Sequence, residues 1–317
     1  MKDFLTSKGK IALAITFVLA LGISALAQVQ LREALDSDND AKADFTVWRP
    51  SNNTWYTLGS TGAYKQQQFG FANEDFPVPG DYDGDNVADI AVWRDTNGTW
   101  YRINSATNTF FAQPFGLSGD EAIGRDFDGD GRTDLAVARR TNGALIWYIL
   151  GSTAGYSSQQ WGLAGDYTAP GDYDGDGKFD LAVQRPGASP TALGTFYLLQ
   201  STAGFDTFTF GFSNDLLAPG DYNGDGKTDV AVVREGPLPT SILEWYIRTP
   251  AGFNQFSWGL TGTDLTVQND YDGDGKTDLA VWRNTEGKFY ILQSTAGYRE
   301  FQWGLPGDFP VAAYDTH

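Results

Sequence analysis

DYDGDGKFDLAV, residues Asp172–Val183, packs four aspartates into nine residues and then runs straight into an apolar segment. Near copies begin at Asp81 (DYDGDNVADIAV), Asp126 (DFDGDGRTDLAV), Asp221 (DYNGDGKTDVAV) and Asp270 (DYDGDGKTDLAV). A looser copy, DSDNDAKADFTV, begins at Asp36. The first aspartates are spaced 45, 45, 46, 49 and 49 residues apart. A period of this size marks a repeat architecture in which each copy is one supersecondary unit.

Each acidic stretch leads into an apolar run ending in arginine, such as IAVWR (90–94) or LAVQR (181–185). A turn follows, twice containing Asn-Gly, the residues of a tight hairpin. Then come segments such as TWYRI (99–103) and TFYLL (195–199), a second turn often reading STAG, and a segment ending in an aromatic and glycine. The segment before the acidic loop is termed A, and those after it B, C and D. Segment B is apolar on both faces, as strands stacked between neighbouring sheets must be. Four short strands per repeat and no helical periodicity predict an all-β, six-bladed β-propeller of four-stranded antiparallel blades.

Six B–C–D sets are present, but only five A segments lie between repeats. A sixth, DFPVAAYD (308–315), ends the chain. The expectation is that this C-terminal strand completes the first blade and removes an open sheet edge. VQLREALD (29–36) competes for that place and would leave the C-terminal strand free for another chain.

Within a loop, side chains at positions 1, 3, 5 and 9 can converge. Glycines at positions 4 and 6 permit the left-handed backbone such a turn needs. The candidate ligands are Asp36, Asp38, Asp40 and Asp44 in loop one, and Asp81, Asp83, Asp85 and Asp89 in loop two. Loop three offers Asp126, Asp128, Asp130 and Asp134, and loop four Asp172, Asp174, Asp176 and Asp180. Loop five offers Asp221, Asn223, Asp225 and Asp229, and loop six Asp270, Asp272, Asp274 and Asp278. Position 7 can donate its carbonyl, so its identity is loose: Lys42, Val87, Arg132, Lys178, Lys227 and Lys276. Oxygen-only ligation selects Ca²⁺, up to six ions, over zinc or copper. The loops are not EF-hands, because position 12 is a valine inside a strand instead of a glutamate before a helix. Loop one departs most from the pattern, with Asn39 and Ala41 where glycines are usual.

The word DYDGDGKTDLAVWR…WYILQSTAG…WGL resembles the FG-GAP/VCBS repeat family, which includes the integrin α head. The resemblance spans nearly all of the chain after the leader. It implies a secreted or surface propeller with calcium in the A–B loops. Its members include adhesins and lectins, so it does not choose the ligand. Integrin heads have seven blades, whereas six are counted here.

The net charge is −18, which repels nucleic acid and anionic lipid; six calcium ions would cancel two thirds of it. Cysteine is absent, which excludes disulfides, thiol catalysis and thiolate zinc sites. The one histidine is His317, the last residue, so imidazole chemistry has almost no place. Lys2, Lys8 and Lys10, the apolar run from Ile11 and the small-x-small ALA at 25–27 read as a signal peptide over 1–27, with the propeller over 28–317. Secretion or cell-surface display follows as an expectation, with no membrane contact beyond the leader.

The B-strand arginines (Arg49, Arg94, Arg139, Arg185, Arg234, Arg283) are expected to tie neighbouring acids or carbonyls between blades, with a ring of anion or sugar ligands as the alternative. The aromatics recurring in strands C and D are expected to be core. The B–C turns from Pro186 and Glu235 are the long ones and should lie on the face opposite the calcium loops, where variable loops suit binding. The leading function is a non-enzymatic binding, adhesion or structural module for an extracellular protein or glycan. One alternative is a lectin stacking sugars on Trp48, Trp93 and Trp282. Another is a filament or surface-layer subunit that exchanges terminal strands with copies of itself. Paired aspartates could serve glycosidic chemistry, but every pair falls within the metal pattern.

Overall fold

The computed structural model describes residues 35–312, and these are all-β. The leader, residues 29–34 of the competing strand and residues 313–315 of the C-terminal segment lie outside the described residues. Six separate four-stranded sheets form the six blades. Blades two to six each run A–B–C–D in chain order. Blade one takes strand A from the other end of the chain: Phe309–Pro310 pairs antiparallel with Phe45–Arg49, followed by Thr54–Leu58 and Tyr64–Gln68. The C-terminal strand therefore closes the ring within one molecule, and Val311 donates its amide to Thr46 O beside it.

B strands are buried on both faces: Val47, Val92, Val137, Val183, Val232 and Val281 are wholly inaccessible. Strands D form the outer edges, and their polar residues face solvent. The aromatic at the start of a D strand packs edge-on against the aromatic ending strand D of the preceding blade. Phe205 meets Trp161, Tyr298 meets Trp258, and Tyr64 meets Trp303 across the closure. Indole N–H groups cross the same boundaries: Trp161 to Tyr197 O, Trp258 to Tyr290 O and Trp303 to Tyr56 O.

The B-strand arginines correct an expectation. Each forms a two-point ion pair, at 2.6–2.9 Å, with an aspartate at the start of strand A of its own blade. The pairs are Arg49–Asp308, Arg94–Asp75, Arg139–Asp120, Arg185–Asp166, Arg234–Asp215 and Arg283–Asp264. Each guanidinium also lies over the C-strand tyrosine, 4.3–4.6 Å from the ring centroid. The tie between blades comes from the aspartate, which also accepts an amide of the incoming D–A connection, as Asp75 does from Phe71. The arginine sits between carboxylate and ring, so its charge is satisfied internally.

Trp48, Trp93 and Trp282 also differ from the lectin expectation. They are 4 %, 2 % and 0 % exposed, because strand B is covered by blades on both sides. No sugar can stack on them.

Asp308 both pairs with Arg49 and anchors the closing strand, so Asp308→Asn should cost about 3 kcal/mol of stability, as removing one partner of a buried pair does. Urea unfolding measures the loss, and hydrogen exchange should rise first at Val47 and Trp48.

Candidate metal centres

The first aspartate of each loop acts in two directions. Its carboxylate accepts the amides of positions 4 and 6 at 2.5–2.9 Å, bending the loop around itself. Its backbone carbonyl accepts the position-8 amide of the next blade at 2.6–2.7 Å, from Ala88 to Asp36, Thr133 to Asp81, Phe179 to Asp126, Thr228 to Asp172, Thr277 to Asp221 and Ala43 to Asp270. These six bonds form a closed circle. The position-7 side chain leans over the position-4 glycine of the preceding blade, so a Cβ on Gly84 would lie 2.7 Å from Arg132 Nε. Between blades one and two Asn39 and Val87 stand at these places, and a cleft of about 840 Å³ lies between them.

Position 9 is fixed by two amides. Its Oδ2 accepts the position-2 amide, and in five loops its Oδ1 accepts the amide of a serine in the C–D turn. That turn, read from the sequence only as a turn, organises the whole site. Ser60, Ser105, Ser152, Ser201 and Ser294 hold position 9 through their amides and position 5 through their hydroxyls. The next amides hold Oδ2 of position 3, as Thr153 and Ala154 do for Asp128. The recurrence of Ser-Thr at one place in the repeat was the available signal.

One oxygen in each of these five loops has no partner. Asp38, Asp83, Asp128, Asp174 and Asp272 all present a buried Oδ1 without a hydrogen bond. In the same five loops three carboxylates offer oxygens within 4.8 Å of one another. The trios are Asp36–Asp38–Asp40, Asp81–Asp83–Asp85, Asp126–Asp128–Asp134, Asp172–Asp174–Asp180 and Asp270–Asp272–Asp278. Acceptor-only oxygens crowded in this way repel unless a cation sits among them. The donor set is all oxygen. The residues fit calcium, with positions 1, 3, 5 and 9 as ligands and the amides and hydroxyls behind them as orienting groups.

The glycine rule also proves less strict than the sequence implied. In loop one Asn39 (φ 60°) and Ala41 (φ 66°) adopt the left-handed conformation that glycines usually take, as Asn86 (φ 61°) also does at position 6 of loop two. The loop keeps its trio at the cost of a strained alanine.

Burial and neighbouring carboxylates push the position-9 groups up. Burial carries Asp134, Asp180, Asp229 and Asp278 to about 7, and Asp44 and Asp89 to about 6. Burial also raises Asp36, Asp81, Asp126 and Asp221.

A family model described as an FG-GAP-like repeat matches residues 126–183, from the first aspartate of loop three through loop four into strand B of blade four. The chain is a six-bladed β-propeller that carries an FG-GAP-like repeat over residues 126–183. No curated protein matches the sequence. Among solved structures this propeller is similar to an Agrocybe aegerita lectin that recognises non-reducing terminal N-acetylglucosamine. The two share 12 % identity and a TM-score of 0.49, over 86 % of this chain and 90 % of that one. Virginiamycin B lyase from Staphylococcus aureus gives 9 % identity and a TM-score of 0.49, over 88 % and 90 %. AztD from Citrobacter koseri gives 11 % and 0.38, over 85 % and 96 %. Overlaps at this level say nothing about ligand or activity.

Two outcomes follow. In chelator, folded-state values above the unfolded one make the position-9 groups stabilising below about pH 4, and that contribution is lost as pH rises through 6–7. Metal-free protein should therefore melt progressively lower from pH 5 to pH 8, and calcium should remove that decline. Separately, Ala41→Gly should stabilise the protein by on the order of 1 kcal/mol by relieving the left-handed alanine, measured by urea unfolding in calcium.

Proposed function

We propose that this FG-GAP-type propeller is a calcium-stabilised, non-enzymatic binding or structural module that works outside the cell. The observation that carries the reading is the set of five buried, partnerless carboxylate oxygens, one at position 3 of each complete loop. The leader-like N-terminus and the absence of cysteine fit an extracellular setting, where calcium is abundant.

The metal's part is structural. Bound calcium would neutralise the crowded carboxylates and lock the A–B connection onto the C–D turn of the same blade. The circle of position-1 carbonyls would then pass that rigidity to the next blade. At about 1 mM calcium and extracellular-type affinities, each site contributes about 0.4–1.4 kcal/mol.

The binding surface is assigned to the opposite face. The exposed large apolar side chains fall into two groups. One is the perimeter of D-strand aromatics. The other lies on the D–A and B–C side: Phe71, Phe76, Leu117, Leu163, Tyr167, Leu193, Leu238, Ile242, Leu265, Leu305 and Phe309. Leu193, Leu238 and Ile242 belong to the two long B–C connections or the strand starts beside them. A surface this rich in aliphatic groups suits a polypeptide partner better than a sugar, which stacks on aromatic rings.

Melting in calcium against melting in chelator tests the metal reading. The melting temperature should fall by roughly 5–20 °C in chelator, and an unchanged value would refute it. A photo-crosslinking residue at Leu238 should capture a polypeptide from the native extracellular fraction, whereas one at Lys178 on the calcium rim should not.

A further inference from the structure

Loop five is built differently from the other five. Its third position is Asn223, whose Nδ2 donates to both oxygens of Asp229, at 3.0 and 3.1 Å. A carboxylate only accepts, so the amide must turn its nitrogen to it. The C–D turn facing the loop is also one residue shorter. Thr249 pairs with Gly252 across two residues, whereas Gln200 pairs with Gly204 across three. Pro250 opens this turn where Ser152, Ser201 and Ser294 open theirs, and it has no N–H to give position 9. Thr249 instead bonds within the turn, accepting from the Ala251 amide. Position 5, Asp225, accepts the Lys227 amide and receives no hydroxyl from the turn.

The consequences agree. Asp229 lacks the turn amide that fixes position 9 elsewhere and is satisfied by Asn223. Among the described residues, no carboxylate trio closes in this loop as it does in the other five. No buried, partnerless position-3 oxygen is found there, as one is in each of the other five. Yet the loop keeps its place in the circle, with Asp221 O accepting from Thr277 and its own glycine amides bound to its carboxylate.

We infer that loop five is closed by the Asn223–Asp229 hydrogen bond in place of a metal ion, so the propeller holds five calcium ions and not six. An amide donor does there what a cation would do elsewhere: it turns the positive end of its dipole to a buried carboxylate. The inference rests on the calcium reading above and concerns which of its sites are real.

Native mass spectrometry in calcium, with titration calorimetry for the stoichiometry, tests it on the full chain. The wild type should hold five ions. Asp225→Asn in loop five should leave five, whereas the matched Asp274→Asn in loop six should leave four. Asn223→Asp combined with replacement of Thr249-Pro250 by Gln-Ser-Thr should raise the count to six. Circular dichroism of each variant reports folding, and for any that fails to fold the wild-type count alone decides. Six ions in the wild type, or a count that falls in Asp225→Asn, overturns the inference while leaving the calcium reading intact. A count of zero overturns both.

Discussion

The backbone carbonyl of the first aspartate in each acidic loop carries the hydrogen bond on which the wheel depends. The carboxylate of that residue bends its own loop, and the carbonyl receives the next blade. Local folding and ring assembly therefore meet in one residue. Whatever disturbs the carboxylate also moves the acceptor on which the next blade hangs. This is why the acidic loops cannot be regarded as decorations on a propeller that would stand without them. The electrostatic strain of crowded aspartates is placed at the joints between blades, where a bound cation would relieve it and tighten the joint at once.

The opposite rim solves the same joining problem without metal. There an arginine is held between an aspartate and a tyrosine ring, and the aspartate reaches back to the connection arriving from the preceding blade. The ion pair is nearly buried on its acidic side, so it is neutral as a unit and leaves no field for a ligand to use. One rim is thus closed by internal cations, and the other would be closed by an external one. Between them strand B is covered on both faces, and the tryptophans that looked available from the sequence are sealed in.

The repeat period, the four strands, the convergence of the acidic side chains and closure by the C-terminal strand were all legible in the sequence, because each is a pattern within one repeat or a count across them. What was not legible depends on contacts between segments that periodicity does not relate. The Ser-Thr turn looked like a solvent-exposed corner until its amides were seen on positions 3 and 9. The arginine's partner was placed in the neighbouring blade, whereas strand register puts Asp75 directly opposite Arg94 in the same one. Loop one drew attention because its glycines are missing, yet backbone strain of one alanine is small beside the loss of a ligand-orienting turn. Loop five kept its glycines, and its single Asn is an ordinary oxygen donor on paper. Only the shortened turn across from it turns that amide toward Asp229.

Blade five shows how the two faces can trade. Its C–D turn loses a residue at the acidic-loop rim, while its B–C connection is one of the two long ones at the other end. A loop that must wrap a cation has to keep its oxygens turned inward and its outer surface polar, so it cannot also display aliphatic groups. The far face has no such obligation, since its charges are already cancelled by the arginine pairs. Large apolar side chains accordingly gather there and on the perimeter. A blade whose loop is closed by an internal amide is released from the demands of the metal, and its rim can change without emptying a site. Divergence at one end of a blade and elaboration at the other are then compatible, provided the position-1 carbonyl still receives its neighbour, as Asp221 does.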